Sequence, residues 1–123
     1  MKKVLVVDDA AIIRSEVSRV LTPAGFTVLE GVDGLAGLEL ARANPDLSLV
    51  VLDVNMPVMN GLDMLDRLKE DRRTAAIPVL FLTTEGQEAL MARAKKAGAK
   101  GWLVKPVKPE MLLKAVQQLA RPG

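Results

Sequence analysis

Cysteine and histidine are both absent from this sequence, and each absence excludes a class of chemistry. Without cysteine there is no disulfide framework, no thiolate nucleophile and no sulfur ligand for zinc. Without histidine there is no imidazole to bind a metal, to act as a general base or to carry a phosphoryl group. Catalytic triads and zinc hydrolases are thereby excluded, and any chemistry must depend on Asp, Glu, Lys, Arg, Ser and Thr.

Aromatic residues are scarce, since Phe26, Phe81 and Trp102 are the whole set. Half of the 123 residues are nevertheless apolar, so the core must be built from Val, Leu, Ile, Ala and Met. A chain of this length is typical of one domain of roughly 100–150 residues. We therefore expect a single domain over residues 1–123.

Long apolar runs are also missing. No stretch approaches the 18 or so consecutive apolar residues that a membrane-spanning helix needs. The start of the chain has only four apolar residues before Asp8, fewer than the roughly 7–15 of a secretion signal. We expect a cytoplasmic protein without membrane insertion.

The net charge is only +2, but basic residues are concentrated after Gly86. The simplest explanation is a solvated helix face, and the functional alternative is a docking surface for an acidic partner. Direct binding to nucleic acid is not expected, because no aromatic residues are interleaved with the basic ones. After Gly86 the only acidic residues are Glu88 and Glu110, whereas the basic residues are Arg93, Lys95, Lys96, Lys100, Lys105, Lys108, Lys114 and Arg121.

Five short runs rich in Val and Leu barely alternate between apolar and polar residues. This pattern is typical of parallel strands that are buried on both faces. The runs cover residues 4–7, 26–29, 47–52, 79–82 and 101–104.

Segments with helical spacing separate these runs. Three have clear apolar stripes, formed by Ile13, Val17, Val20 and Leu21, by Leu62, Leu65 and Leu68, and by Leu112, Val116 and Leu119. Weaker patterns predict helices over 35–43, capped by Asp33, and over 87–97, while Gly25 and Gly98 are placed to end helices. Five strand–helix repeats predict a doubly wound α/β fold, in which a five-stranded parallel sheet carries helices on both faces.

Polar residues follow four of the predicted strands: Asp8 and Asp9, Asp53, Thr83 and Thr84, and Lys105 before Pro106. Taken singly, each has an ordinary explanation as a helix cap, a turn residue or a surface charge. In open parallel sheets, however, the ligand site lies at the carboxyl ends of the strands. We therefore expect these residues to meet at one edge of the sheet.

Three carboxylates at one edge would repel one another, at a cost on the order of 4 kcal/mol per pair of charges 4 Å apart at an effective dielectric constant of about 20. A hard divalent cation, Mg²⁺ or alternatively Mn²⁺, removes this conflict. An acidic cluster with a cation, a lysine and a hydroxyl is the equipment of phosphoryl transfer. Asp53 is the best nucleophile, and Thr83 and Lys105 would each bond a phosphoryl oxygen.

With these residues in place, the chain resembles a response-regulator receiver domain over its whole length, most closely the single-domain chemotaxis type. The run DVNMPVMNG, from Asp53 to Gly61, carries the resemblance together with Asp8-Asp9, Thr83 and Lys105-Pro106. The resemblance implies a flavodoxin-like (βα)5 fold with strand order 2-1-3-4-5. It also implies that Gly61 lets the loop after Asp53 turn before the third helix.

The resemblance further implies a role for each matching residue. Asp8, Asp9, Asp53 and the backbone carbonyl of Asn55 would bind Mg²⁺, and Asp53 would also be the phosphoacceptor. The chain would thus catalyse its own phosphorylation and dephosphorylation rather than act as a conventional enzyme. The Lys105–Pro106 bond would be cis, and Asn55, Thr84 and Glu85 would tune the rates.

A switch and two kinds of partner are implied as well. Thr83 and Trp102 would move on phosphorylation and remodel the surface of helix four, strand five and helix five. The phosphodonor would be a histidine kinase or a phosphotransfer protein, which would dock near Ala11, Ile12, Ser15 and Pro106. A downstream protein would bind the remodelled surface, and the chain itself would be a monomer or weak dimer.

Two positions depart from the family pattern. Thr84 stands where a smaller residue is commoner, and it predicts slow phosphorylation and slow hydrolysis. Trp102 replaces the commoner Tyr or Phe, which leaves open a pseudo-receiver that binds partners without phosphorylation. A second interpretation is a receiver cut from a larger DNA-binding or kinase regulator, and a third is a small Mg²⁺-dependent aspartyl phosphatase. The phosphatase lacks support, because Asn55 occupies the position of its second acid.

Overall fold

The structure is a computed structural model that describes residues 2–122, in which five strands and five helices alternate. The strands are β1 (Lys3–Val7), β2 (Thr27–Gly31), β3 (Leu49–Leu52), β4 (Val79–Thr83) and β5 (Gly101–Val104). The helices are α1 (Ala11–Leu21), α2 (Gly34–Ala43), α3 (Gly61–Glu70), α4 (Glu88–Lys96) and α5 (Pro109–Leu119). Every predicted element is present, with ends shifted by one or two residues. None of the described helices is long and apolar enough to cross a membrane.

The five strands form one parallel sheet in the order β2-β1-β3-β4-β5, which confirms the predicted fold class and strand order. The register aligns the strand ends, because Val7 lies opposite both Gly31 and Leu52. Farther along the sheet, beyond β3, Thr83 of β4 lies opposite Val104 of β5. The residues that directly follow β1, β3, β4 and β5 are therefore brought to one edge of the sheet.

Two apolar layers, one on each face of the sheet, hold this register. Val50 and Leu52 of β3 point into the layer covered by α2, α3 and α4, whereas Leu49 and Val51 point into the layer covered by α1 and α5. All four residues of β3 are buried, which explains why its sequence does not alternate. Each fully buried Leu or Val contributes about 1.5–3 kcal/mol. The strand that leads into Asp53 is thus buried along its whole length, as is the neighbouring β4.

The helix ends follow the predicted punctuation in three places. Asp33 accepts a hydrogen bond from the Ala36 amide at 2.8 Å and caps α2 as expected. Gly25 and Gly98 follow α1 and α4 with φ of 96° and 105°, a left-handed conformation that only glycine adopts readily. The residue before α1 is Ala10, which has no side-chain cap. Neither Asp8 nor Asp9 is therefore the N-cap residue of this helix.

Gly61 lies where the loop after Asp53 closes at the start of α3, and glycine is required there because of a close approach and not because of a positive φ. The turn is made at Val58, whose φ is 69° and over which the Met59 amide donates to the Pro57 carbonyl at 2.7 Å. This γ-turn holds a β-branched residue in a strained conformation, at a cost on the order of 1–3 kcal/mol. At Gly61, by contrast, a Cβ would overlap the Asp53 carbonyl oxygen and lie 3.1 Å from the Phe81 ring. The start of α3 packs directly under the backbone of Asp53.

Replacing Gly61 with Ala should therefore destabilise the fold by about 2 kcal/mol or more, because α3 must move away from the strand end that carries Asp53. Urea unfolding followed by circular dichroism measures the change. Gly86→Ala is the matched control, since a Cβ at Gly86 would meet nothing closer than a Val104 methyl at 3.8 Å. Equal stabilities of the two variants would contradict the close approach described here.

Candidate functional site

Three carboxylates converge at the carboxyl edge of the sheet. Asp8 and Asp9 follow β1, Asp53 follows β3, and one oxygen from each lies within 4.8 Å of the other two. Asp8 and Asp53 are only 2% and 7% exposed, whereas Asp9 is open to solvent. The cluster is therefore deep on one side and accessible on the other.

The donor set of this cluster fits a hard divalent cation. All three side chains offer carboxylate oxygens, which Mg²⁺ prefers. Because Mg²⁺ binds oxygen at about 2.0–2.1 Å, opposite ligands of one ion lie roughly 4 Å apart, close to the spacing present here. Asn55, whose backbone carbonyl is the remaining expected ligand, lies exposed two residues after Asp53.

Lys105 is the one cation in direct contact with the acidic cluster within the described residues. Its Nζ lies 2.7 Å from Asp8 Oδ2 and 3.6 Å from Asp53 Oδ2. The backbone of Lys105 is fixed to β4, because the Lys105 amide donates to the Thr83 carbonyl at 2.8 Å. The Lys105–Pro106 peptide bond is cis. One ammonium against three carboxylates leaves the site net negative.

The environment of Asp53 opposes its ionisation. Burial is the main reason why the pKa of Asp53 lies above its ordinary value, and the nearby charge of Asp8 acts in the same direction. The Thr83 hydroxyl, the Lys105 charge and the Val54 amide, which donates to Asp53 Oδ1 at 2.8 Å, act the other way. Asp53 is thus a poorly solvated carboxylate with fixed hydrogen-bond donors around it, the setting of a reactive nucleophile.

The two threonines after β4 differ in their surroundings. Thr83 is fully buried, and its hydroxyl accepts a hydrogen bond from the Glu85 amide at 3.3 Å. Thr84 is exposed and shares the rim of the adjoining groove with Lys105 and Pro106. Thr83 therefore lies in the interior beside Asp53, whereas Thr84 lies at the surface.

Glu85 connects the loop after β3 to β5, an arrangement that the sequence did not reveal. Its carboxylate accepts a hydrogen bond from the Asn55 side chain at 2.8 Å, and its backbone carbonyl accepts one from the Trp102 indole at 2.8 Å. The indole of Trp102, half-buried, packs on Phe81 with ring centroids 5.1 Å apart. Asn55, Glu85 and Trp102 therefore form one connected group beside the acidic cluster.

Sequence reasoning missed Arg14 and Glu30. The Arg14 guanidinium donates to the backbone carbonyl of Asp8 at 2.7 Å and to Glu30 at 3.1 Å. The acceptor of this bond is a backbone carbonyl, which every residue has. The sequence therefore does not indicate which residue Arg14 contacts. Only the position of Arg14, in the first turn of the helix that follows Asp8-Asp9, hinted at proximity.

A groove of about 710 Å³ lies beside the site, between α1 and the segment from Lys105 to α5. Its floor is apolar, with Val17, Val20 and Leu112 among the lining residues, and Thr84, Lys105 and Pro106 form its upper end. Next to it, Ile12 is 68% exposed on the outer side of α1. An apolar surface thus borders the acidic cluster directly.

Comparison with known proteins gives the same family for fold and site. The family model "response regulator receiver domain" matches residues 4–117. The chemotaxis protein CheY1 of Helicobacter pylori is 40% identical over 89% of this chain and 90% of its own length. The chemotaxis response regulator CheY4 of Vibrio cholerae superimposes with a TM-score of 0.90 at 40% identity, covering 97% of this chain and 98% of its own. A CheX–CheY–BeF3–Mg²⁺ complex from Borrelia burgdorferi matches with a TM-score of 0.89 at 25% identity, covering 98% and 90%.

The raised pKa of Asp53 gives a stability prediction with a definite sign. The folded state binds the Asp53 proton more tightly than the unfolded chain does, so ionised Asp53 destabilises the fold at neutral pH. Asp53→Asn should therefore raise the free energy of unfolding at pH 7. As the pH falls through the raised folded pKa to the ordinary value of 3.8, this gain should shrink, and below that value it should vanish.

Urea unfolding at a series of pH values measures this gain. Glu39→Gln, the same change of carboxylate to amide at an exposed position of α2, serves as the control and should leave stability unchanged. A variant at Asp53 that is no more stable than the parent chain at pH 7 would show that burial does not dominate its electrostatics.

Proposed function

The chain belongs to the response regulator receiver family and is a two-component response regulator, and within that role we propose that Asp53 is its phosphoacceptor. The phosphodonor is a histidine kinase or a phosphotransfer protein, and the outcome is a changed surface for a downstream protein. The observation that carries the proposal is the convergence of Asp8, Asp9, Asp53 and Lys105 at one sheet edge.

The chemistry follows from the charges around Asp53. A carboxylate oxygen of Asp53 forms the new O–P bond as the N–P bond of a donor phosphohistidine breaks, and the donor imidazole keeps the electron pair. Lys105 and the Thr83 hydroxyl each bond one oxygen of the transferred group. Hydrolysis by water regenerates the carboxylate and releases phosphate.

The metal of the proposed site is Mg²⁺, with Mn²⁺ as a substitute. Asp8, Asp9, Asp53 and the Asn55 backbone carbonyl would hold it, and when bound it neutralises charge on the carboxylates and on the phosphoryl oxygens. The Borrelia relative whose structure contains BeF3 and Mg²⁺ supports this assignment by similarity. Lys105, at 2.7 Å from Asp8, is bonded to one of these ligands and must share it with the ion.

The proposed switch uses the group formed by Asn55, Glu85 and Trp102. The Thr83 hydroxyl accepts from the Glu85 amide, so drawing it toward a phosphoryl oxygen on Asp53 releases that amide. Because the Glu85 carbonyl holds the Trp102 indole, movement of the loop shifts the indole on β5. Chemical change at Asp53 is thereby transmitted to the face formed by α4, β5 and α5.

The target surface lies around Trp102 and is basic. A groove of about 380 Å³ there is lined by Met91, Lys95, Lys100 and Trp102, and Lys96 is exposed on the same helix. Its apolar floor and basic rim suit a protein segment that offers apolar and acidic side chains.

The phosphodonor is proposed to dock on the opposite side of the site, over the groove between α1 and α5. Ala11, Ile12 and Ser15 are exposed at the start of α1, and Pro106 is exposed at the upper end of the groove. A donor bound there reaches Asp53 past Lys105 and contacts α5 through Pro109 and Leu112, whereas it leaves α4 and Trp102 uncovered. The two partner surfaces therefore have only α5 in common, and the chain itself is proposed to act as a monomer or weak dimer.

Trp102 fluorescence tests the proposed acceptor directly, because this residue is the only tryptophan. Adding Mg²⁺ and then beryllofluoride should change its emission, since the indole is bonded to the Glu85 carbonyl beside the site. The beryllofluoride response should be lost in Asp53→Asn and kept in Asp63→Asn, an exposed carboxylate of α3. A response of normal size in the Asp53 variant would contradict the assignment.

Thr84 gives a kinetic prediction. Its exposed side chain stands on the rim beside Lys105, where it narrows the approach to Asp53. Thr84→Ala should raise the rates of phosphorylation by acetyl phosphate and of subsequent hydrolysis several-fold, as measured by quenched-flow and phosphate-release assays. Thr22→Ala, at the far end of α1, is the control. Unchanged rates in Thr84→Ala would rule out this steric role.

A further inference from the structure

The Arg14 side chain joins three elements at the base of the acidic cluster. It belongs to α1, donates to the Asp8 carbonyl after β1 at 2.7 Å, and pairs with Glu30 of β2 at 3.1 Å. Only 13% of the Arg14 side chain is exposed, and its bond to the Asp8 carbonyl is partly buried, whereas Glu30 lies at the surface. A guanidinium that bonds the backbone carbonyl directly before Asp9 has a local consequence for that residue.

Asp9 depends on its backbone for its orientation. Its exposed side chain makes no hydrogen bond or ion pair within residues 2–122. The peptide unit before it is fixed by Arg14 at the Asp8 carbonyl, and the peptide unit after it is fixed by the Ala10 amide, which donates to Asp8 Oδ1 at 2.9 Å. With both flanking peptide planes held, the Cα–Cβ bond of Asp9 has a fixed direction, and only the rotations within the side chain itself remain free.

We propose that Arg14, oriented by Glu30, is a positioning residue for cation binding by Asp8 and Asp9. This inference rests on the proposed function, because it concerns how the same site holds Mg²⁺. Arg14 does not touch the reacting atoms, and it acts by fixing the peptide unit between the two aspartates. Groups that hydrogen-bond a metal-ligating side chain typically contribute 10–100-fold to metal affinity, and Arg14, which bonds the backbone carbonyl of a ligand residue, is expected at the lower end of that range.

The geometry of arginine is what the position requires. The guanidinium bonds two acceptors at once with Nε and a terminal nitrogen, in a planar fork that the single ammonium of lysine does not reproduce. Its charge is compensated by Glu30, so the pair adds little net charge near the cluster. Arg14 is therefore proposed to act by orienting the peptide unit between Asp8 and Asp9, and not through the electric field of its charge.

A charge-neutral double variant separates orientation from electrostatics. Arg14→Met with Glu30→Gln removes the guanidinium bond to Asp8 and leaves the net charge unchanged, so no added negative charge can strengthen cation binding. The matched control is Arg67→Met with Glu70→Gln, an exposed pair on α3 with the same two chemical changes. Isothermal titration with Mg²⁺ alone gives the dissociation constant, and urea unfolding gives the stability of each variant.

We expect the Arg14/Glu30 variant to bind Mg²⁺ with a dissociation constant about tenfold larger than that of the parent chain. The dissociation constant of the control should be unchanged. The phosphorylation rate with acetyl phosphate should fall at low Mg²⁺ and recover at saturating Mg²⁺, because only the assembly of the site is impaired. Arg14→Lys should give an intermediate dissociation constant. Should the double variant fail to fold, Arg14→Lys, which keeps the charge and loses the planar fork, still decides the question, and an Mg²⁺ affinity equal to that of the parent chain would overturn the inference.

Loss of stability with the same Mg²⁺ affinity as the control would overturn the inference and leave Arg14 as a fold-stabilising residue only. This outcome can be distinguished from failure of the proposed function. If the proposed function is wrong, the parent chain itself will neither bind Mg²⁺ nor accept a phosphoryl group.

Discussion

The repulsion among Asp8, Asp9 and Asp53 is the constraint on which the rest of the structure depends. Their oxygens lie within 4.8 Å of one another, two of the three residues are buried, and a single ammonium, that of Lys105, contacts them. At an effective dielectric constant of about 20, two unit charges 4 Å apart repel each other by on the order of 4 kcal/mol. A divalent cation lowers this repulsion, and the three carboxylates offer the oxygen ligands that such a cation prefers.

The surrounding fold keeps these charges from moving apart. The fully buried β3 fixes Asp53, and Gly61 packs α3 against its carbonyl. Arg14 and the Ala10 amide fix the peptide units around Asp9. Apolar packing on both faces of the sheet thus keeps the repelling carboxylates close together. Unfavourable local arrangements of this kind are common at functional sites.

The sequence pattern was sufficient to predict the elements and the residues that converge, whereas the order of the strands was implied by the family resemblance. Buried parallel strands leave continuous apolar runs, and the topology then requires Asp8, Asp53, Thr83 and Lys105 to meet at one edge. The bonds of Arg14 to Asp8, of Asn55 to Glu85 and of Trp102 to Glu85 were not predictable, because they depend on side-chain directions between distant segments. The close approach of Gly61 to the Asp53 carbonyl was not predictable for the same reason, although a glycine at that point of the loop was expected to matter.

The central claim is that the acidic cluster, with a divalent cation, makes Asp53 the acceptor of a phosphoryl group. Intact-mass measurement after incubation with acetyl phosphate tests it most directly, with peptide mapping and hydroxylamine treatment to locate the modification. The account predicts one hydroxylamine-labile phosphoryl group on Asp53 in the presence of Mg²⁺ and none after chelation. No gain in mass with Mg²⁺ present, or a phosphoryl group on any other residue, would contradict it.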